Sequence, residues 1–122
     1  MSRNTEPIPF ARPSIGREEE EAALSVLRSG WLTTAGETKK FEEEFADYVG
    51  ASHALAVNSA TAGLHLSLEA LDVGPEDTVL TTPYTFTATA EVARYLGAHL
   101  EFADIDEEDL TIDPREVERL LE

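Results

Sequence analysis

The chain has no cysteine, which removes both a disulfide framework and thiolate metal ligands from its options. Basic residues are scarce: nine Lys and Arg stand against 25 Asp and Glu, for a formal net charge of -16. A field of that sign repels nucleic acid and anionic membranes, so neither is expected as a partner. No apolar run approaches the ~20 residues of a membrane span. Met1-Ser2-Arg3-Asn4 leads into prolines and not into an apolar signal core, so a soluble, cytoplasmic chain is expected. Two phosphate-binding fingerprints are also missing, since neither G-x-G-x-x-G nor Gly-Lys-Ser/Thr occurs. His53, His65 and His99 have no Cys or His partner at ligand spacing, and no metal site is expected. The 122 residues suffice for one hydrophobic core.

What is present begins with an arm. Pro7, Pro9 and Pro13 fix their own φ angles and bias their predecessors away from helix, so residues 1–16 are read as extended. From Arg17, the residues Ala22, Ala23, Val26 and Leu27 share a helical face, with a stop at Ser29-Gly30. Trp31-Leu32-Thr33-Thr34-Ala35-Gly36 is a loop, and Phe41, Phe45, Tyr48 and Val49 mark a second helix ending at Gly50. Glu42-Glu43-Glu44 is read as its solvated face. Residues 17–50 thus form a two-helix region with a loop between.

After Gly50 the period changes. Residues 51–122 read as a strand at 54–57, a helix at about 61–71, a turn at Gly74-Pro75 and a strand at 78–81. A helix at about 87–96 and a strand at 100–103 follow. Strands alternating with helices of this length give an α/β fold with a parallel sheet. Asp113 at N-cap, Pro114 at N1 and Glu116 at N3 start a last helix whose apolar face is Val117, Leu120 and Leu121. The sequence stops inside that pattern, which reads as the beginning of a larger domain.

Ligands of open α/β sheets bind beyond the carboxyl ends of the strands. One such end is Asn58-Ser59-Ala60-Thr61-Ala62-Gly63, where small polar residues open a helix and aim free N–H groups and a positive dipole end at one spot. The other is Thr82-Pro83-Tyr84-Thr85-Phe86. An anion at the first beside an aromatic at the second suggests a flat, phosphorylated cofactor. Plain N-capping by Ser59 and a core role for Phe86 are the rival readings. Asp104 and Asp106, with Glu107, Glu108 and Asp109 behind them, read as a solvated turn. Lys39 and Lys40, flanked by glutamates, lack the desolvated pocket that makes a lysine nucleophilic.

Taken in order, Pro9-Phe10-Ala11-Arg12-Pro13, Ser29-Gly30-Trp31-Leu32-Thr33-Thr34, Phe41-Glu42 and Asn58 through Leu64 resemble the opening third of the DegT/DnrJ/StrS-type sugar aminotransferases. Pro83-Tyr84-Thr85-Phe86-Thr87-Ala88-Thr89, Asp104-Ile105-Asp106 and Thr111-Ile112-Asp113-Pro114 continue the likeness. These are pyridoxal-phosphate (PLP) enzymes of the aspartate-aminotransferase type, fold type I. The resemblance implies that Ala60 and Thr61 hold the PLP phosphate and that Phe86 stacks on the pyridine ring. It implies that Gly30, Trp31, Leu32 and Thr33 line the mouth for a nucleotide-sugar substrate, and that the complete enzyme is a homodimer using an amino-acid donor, glutamate. The family's Gly-Pro after Thr-Thr is replaced here by Ala35-Gly36. The family's cofactor-binding lysine and the acidic partner of the pyridine nitrogen come after the point where this sequence stops, so no catalytic residue is assigned within it. Two alternatives stand beside this reading. One is a PLP-dependent sugar dehydratase on the same scaffold. The other is a stand-alone α/β binding module in which Asp104 and Asp106 matter and Ser59 merely caps a helix.

Overall fold

A computed structural model of the protein describes residue 7 and residues 9–122. The arm expected at 1–16 therefore lies partly outside the described residues, and residues 9–16 form neither helix nor strand. The chain divides into two units, Met1–Ala56 and Val57–Glu122.

The first unit holds two helices, α1 (Arg17–Ser29) and α2 (Gly36–Val49). Glu18, Glu19 and Glu20 sit in the first turn of α1 and Arg28 in its last, which complements the helix dipole. The Glu19 carboxylate accepts the Gly16 N–H at 2.7 Å and is held below its ordinary pKa by backbone hydrogen bonds. Each helix closes on a glycine in the left-handed region, Gly30 at φ 71° and Gly50 at φ 70°, as the sequence predicts. Gly36 does not have a positive φ and opens α2 as its first residue, so the displaced glycine of this loop serves no left-handed turn.

One feature of α2 departs from expectation. Glu42 does not join Glu43 and Glu44 in solvent: it is half-buried, and its Oε1 accepts the Ala56 N–H at 2.8 Å. The strand expected at 54–57 is absent as a strand, because among the described residues no neighbouring strand pairs with it. A strand exists through a ladder of hydrogen bonds to a neighbour, and the Ala56 donor is taken by a side chain instead.

The second unit contains α3 (Ala60–Ala70), β1 (Thr78–Thr81), α4 (Ala88–Tyr95), β2 (His99–Phe102) and α5 (Pro114–Leu121). β1 and β2 pair in parallel, Thr78 opposite His99 through Thr81 opposite Phe102, with α4 as the crossover. β2 starts one residue earlier than the alternation predicts. α4 packs on both strands and on α3, where the His65 and Tyr95 rings meet edge to face at 5.8 Å. The buried apolar residues of this unit are Ala88, Val92, Ala93, Ala98 and Ala103. These small side chains let helix and sheet approach closely. Between α4 and β2, Gly97 turns at φ 83°, where a Cβ would stand 3.2 Å from Pro75 Cγ. Among the described residues no helix is long and apolar enough to cross a membrane.

Candidate functional site

α3 opens as its sequence dictates. Ser59 is extended at φ −163° and ψ 157°, and its Oγ accepts the Ala62 N–H at 3.1 Å, while its carbonyl accepts the Gly63 N–H at 3.1 Å. The cap reading is therefore correct, and it does not displace the anion reading. The cap serves Ala62 and Gly63, the third and fourth residues of α3. It leaves the N–H groups of Ala60 and Thr61, and the Thr61 hydroxyl, without a hydrogen-bond partner among the described residues. Two free amides and a hydroxyl at the positive end of an 11-residue helix are the donor set a phosphate monoester requires. Neither α3 nor the first turn of α4 carries Lys or Arg, so the free donors at this helix start are neutral ones.

The second element of the site is the segment between β1 and α4. The Tyr84 N–H donates to Thr82 Oγ1 at 3.2 Å, tightening the turn around Pro83. The Phe86 carbonyl accepts the Thr89 N–H at 3.0 Å, and the Thr85 and Thr89 hydroxyls share a hydrogen bond of 3.1 Å. Phe86 is 78% exposed, so the residues of this chain do not bury it and its ring is free toward the carboxyl edge of the strands. Chain direction places the two parts at one end of the unit. A short turn joins the carboxyl end of α3 to the start of β1, and α4 begins beyond the end of β1, so both helices start toward the carboxyl edge of the strands. The residues present fit a phosphorylated, planar cofactor.

Gly30, Trp31, Leu32 and Thr33 belong to the first unit. Gly30 ends α1, the Ser29 hydroxyl donates to the Val26 carbonyl at 2.7 Å, and its Oγ accepts the Trp31 N–H at 3.1 Å. The loop walls an open groove of about 680 Å³ together with Thr34, Glu37 and Thr38. Trp31 and Leu32 are both exposed at its rim.

Asp104 and Asp106 do not close β2, which ends at Phe102. Ile105 bridges to Ile112 in antiparallel fashion, and Asp106 Oδ1 accepts the Glu108 N–H at 2.8 Å while Oδ2 lies 3.6 Å from Arg115. The turn is built and internally paired. Lys39 and Lys40 are exposed on α2 near Glu43 and Glu44, at 4.0 and 3.7 Å. The reading of the sequence overlooked Thr89 and the inward role of Glu42. Thr85 and Thr89 at i, i+4 across a helix start is the signal that could have found the former.

Known proteins resemble this chain over most of its length. Residues 13–122 match the DegT/DnrJ/EryC1/StrS aminotransferase family. The spore coat polysaccharide biosynthesis protein SpsC of Bacillus subtilis (strain 168) is 49% identical over 111 residues, covering 91% of this chain and 28% of the relative. Spr1654 of Streptococcus pneumoniae, provisionally named a sugar aminotransferase, superposes in its PLP form with a TM-score of 0.84 and 37% identity. That match covers 92% of this chain and 29% of Spr1654, and the PMP form superposes equally well. An aminotransferase of Psychrobacter cryohalolentis gives a TM-score of 0.81 at 35% identity, over 91% of this chain and 29% of its own. The chain thus spans about three-tenths of the length of the relatives it matches. The expected fold and cofactor are borne out, because these neighbours are fold type I enzymes and the pneumococcal one is known with PLP and with PMP. The chain belongs to the DegT/DnrJ/EryC1/StrS aminotransferase family.

Proposed function

We propose that this chain is the amino-terminal segment of a PLP-dependent aminotransferase that moves an amino group from glutamate to a nucleotide-linked keto-sugar, acting in the cytoplasm as a homodimer. The observation that carries the reading is the donor set left over by the Ser59 cap, the N–H groups of Ala60 and Thr61 with the Thr61 hydroxyl. When bound, PLP supplies the electron sink through which an amino acid surrenders its nitrogen. The residues of this chain do the holding. Ala60 and Thr61 anchor the phosphate, and the exposed Phe86 ring covers one face of the pyridine and keeps water from it. The groove that follows Gly30, lined by Trp31, Leu32 and Thr33, offers an aromatic rim and hydroxyls, a lining suited to a base and a sugar. The name of the Bacillus subtilis relative, a polysaccharide biosynthesis protein, supports a sugar substrate. The only lysines here, Lys39 and Lys40, are exposed on α2. In this reading the cofactor's lysine belongs to the part of the relatives' length that this chain does not span.

The test uses the complete protein with PLP, glutamate and a panel of nucleotide-linked keto-sugars, read by mass spectrometry. Amino-sugar nucleotide formed together with equimolar 2-oxoglutarate supports the proposal. Loss of a hydroxyl without gain of nitrogen replaces it with the dehydratase reading. In the same protein Thr61→Val should raise the PLP dissociation constant by roughly tenfold, the effect of one charge-assisted hydrogen bond. Retention equal to the parent would take Thr61 out of the site.

A further inference from the structure

We propose that Thr85 and Thr89 form a hydroxyl clasp that fixes where Phe86 stands, so that Thr89 is a positioning residue of the cofactor site; the inference rests on the stacking role given to Phe86 above. Phe86 poses a mechanical problem. Its ring is exposed and, among the described residues, has no aromatic neighbour, so packing within this chain does little to hold it in place. Its backbone lies in the turn that precedes an eight-residue helix, and short helices fray at uncapped ends. α4 is such a helix: Thr87, at its N-cap, has helical φ and ψ and makes no side-chain capping bond.

The missing cap is replaced by a hydroxyl pair two residues out on either side of Thr87. The Thr89 N–H donates to the Phe86 carbonyl at 3.0 Å, and the Thr89 hydroxyl meets the Thr85 hydroxyl at 3.1 Å. The residue before Phe86 and the carbonyl of Phe86 itself are therefore tied to the same helical residue. Thr89 is half-buried at the second position of α4, and threonine is stiff at χ1, so its hydroxyl is a firm anchor. Upstream, the bond from Tyr84 N–H to Thr82 Oγ1 removes slack from the chain that leads in. With the backbone held on both sides, the ring keeps only its own χ angles. A ring that is ordered before the ligand arrives spares the ordering cost at binding.

The experiment compares complete enzymes carrying Thr85→Val, Thr89→Val, both together, Thr89→Ser and Phe86→Ala. The readouts are the PLP dissociation constant, the visible circular dichroism of bound PLP, and amide hydrogen exchange over residues 84–91 in the PLP-free protein. Each valine variant should raise the dissociation constant roughly two- to tenfold, the range for one neutral hydrogen bond, and the double variant should be no worse than either single one. Exchange over 84–91 should quicken without ligand, and Thr89→Ser should restore both readouts. Thr85 is exposed, so its variant keeps the test valid if Thr89→Val perturbs folding. Parent-like PLP binding and exchange in the valine variants, with Phe86→Ala losing PLP, would overturn the clasp and leave stacking intact. Parent-like PLP binding in Phe86→Ala would remove the stacking role, and the clasp's function with it.

Discussion

Asp113, only 8% exposed, accepts the Arg115 N–H at 2.9 Å and receives the Arg115 guanidinium on both carboxylate oxygens. Those side-chain hydrogen bonds, then the backbone one, hold its pKa below the ordinary aspartate value of 3.8. A depressed native pKa contributes stability that is complete above the unfolded-state value and is lost as pH falls through the native one. Acidification from just above 3.8 downward should therefore loosen α5 at its start. Asp113→Asn keeps a capping oxygen but surrenders the ion pair, so it should lower stability near neutrality and flatten the acid limb; thermal midpoints of the complete protein over that pH range check both. The cap itself was legible, because Asp-Pro-x-Glu is a local code for a helix start. The guanidinium folding back two residues was not, since no periodicity describes it. At Ser59 the sequence left cap and anion cradle as rivals. The two are compatible, because the Ser59 hydroxyl serves the Ala62 amide and the N–H groups of Ala60 and Thr61 stay free.

At the scale of elements, helix periodicity and caps located all five helices found among the described residues, and alternation located β1, because those signals are local. The segment 54–57 has the composition of a strand, yet strand formation depends on a partner that no local pattern supplies. The Ala56 donor goes to Glu42 instead. Removing that acceptor should cost about 1–3 kcal/mol, the penalty for stranding a partly buried amide. Glu42→Ala should thus destabilise the complete protein in urea unfolding, whereas Glu42→Gln, which keeps a carbonyl acceptor, should recover most of the loss. Glu43→Ala and Glu44→Ala are the controls. Their carboxylates are more than two-thirds exposed, at 4.0 and 3.7 Å from Lys39 and Lys40, and such pairs contribute little. A triplet of glutamates reads as one wet face, and only the packing distinguishes its first member.

For the molecule as a whole, the apolar patterning promised more burial than these residues achieve among themselves. Among the described residues Val92 is the largest fully buried side chain, and the other buried apolar residues are alanines. Phe41, Phe45 and Tyr48 of α2, Leu71 after α3, and Leu121 of α5 stand exposed, although their spacing marks them as core-facing. At about 25 cal/mol per Å², a core of alanines and one valine offsets little of the roughly 1–2 kcal/mol per residue lost in fixing the backbone. The 122-residue chain produced by itself should therefore bind the dye ANS and melt without a cooperative calorimetric transition, while the complete protein should bind little dye and unfold cooperatively. The alanine-rich packing of α4 on β1 and β2 would then be the last part to lose hydrogen-exchange protection, because it contains nearly all of the buried residues. A sharp cooperative transition with no dye binding would mean that the exposed aromatic and leucine side chains form a working surface of a self-sufficient module, and the enzyme reading would give way to a binding one.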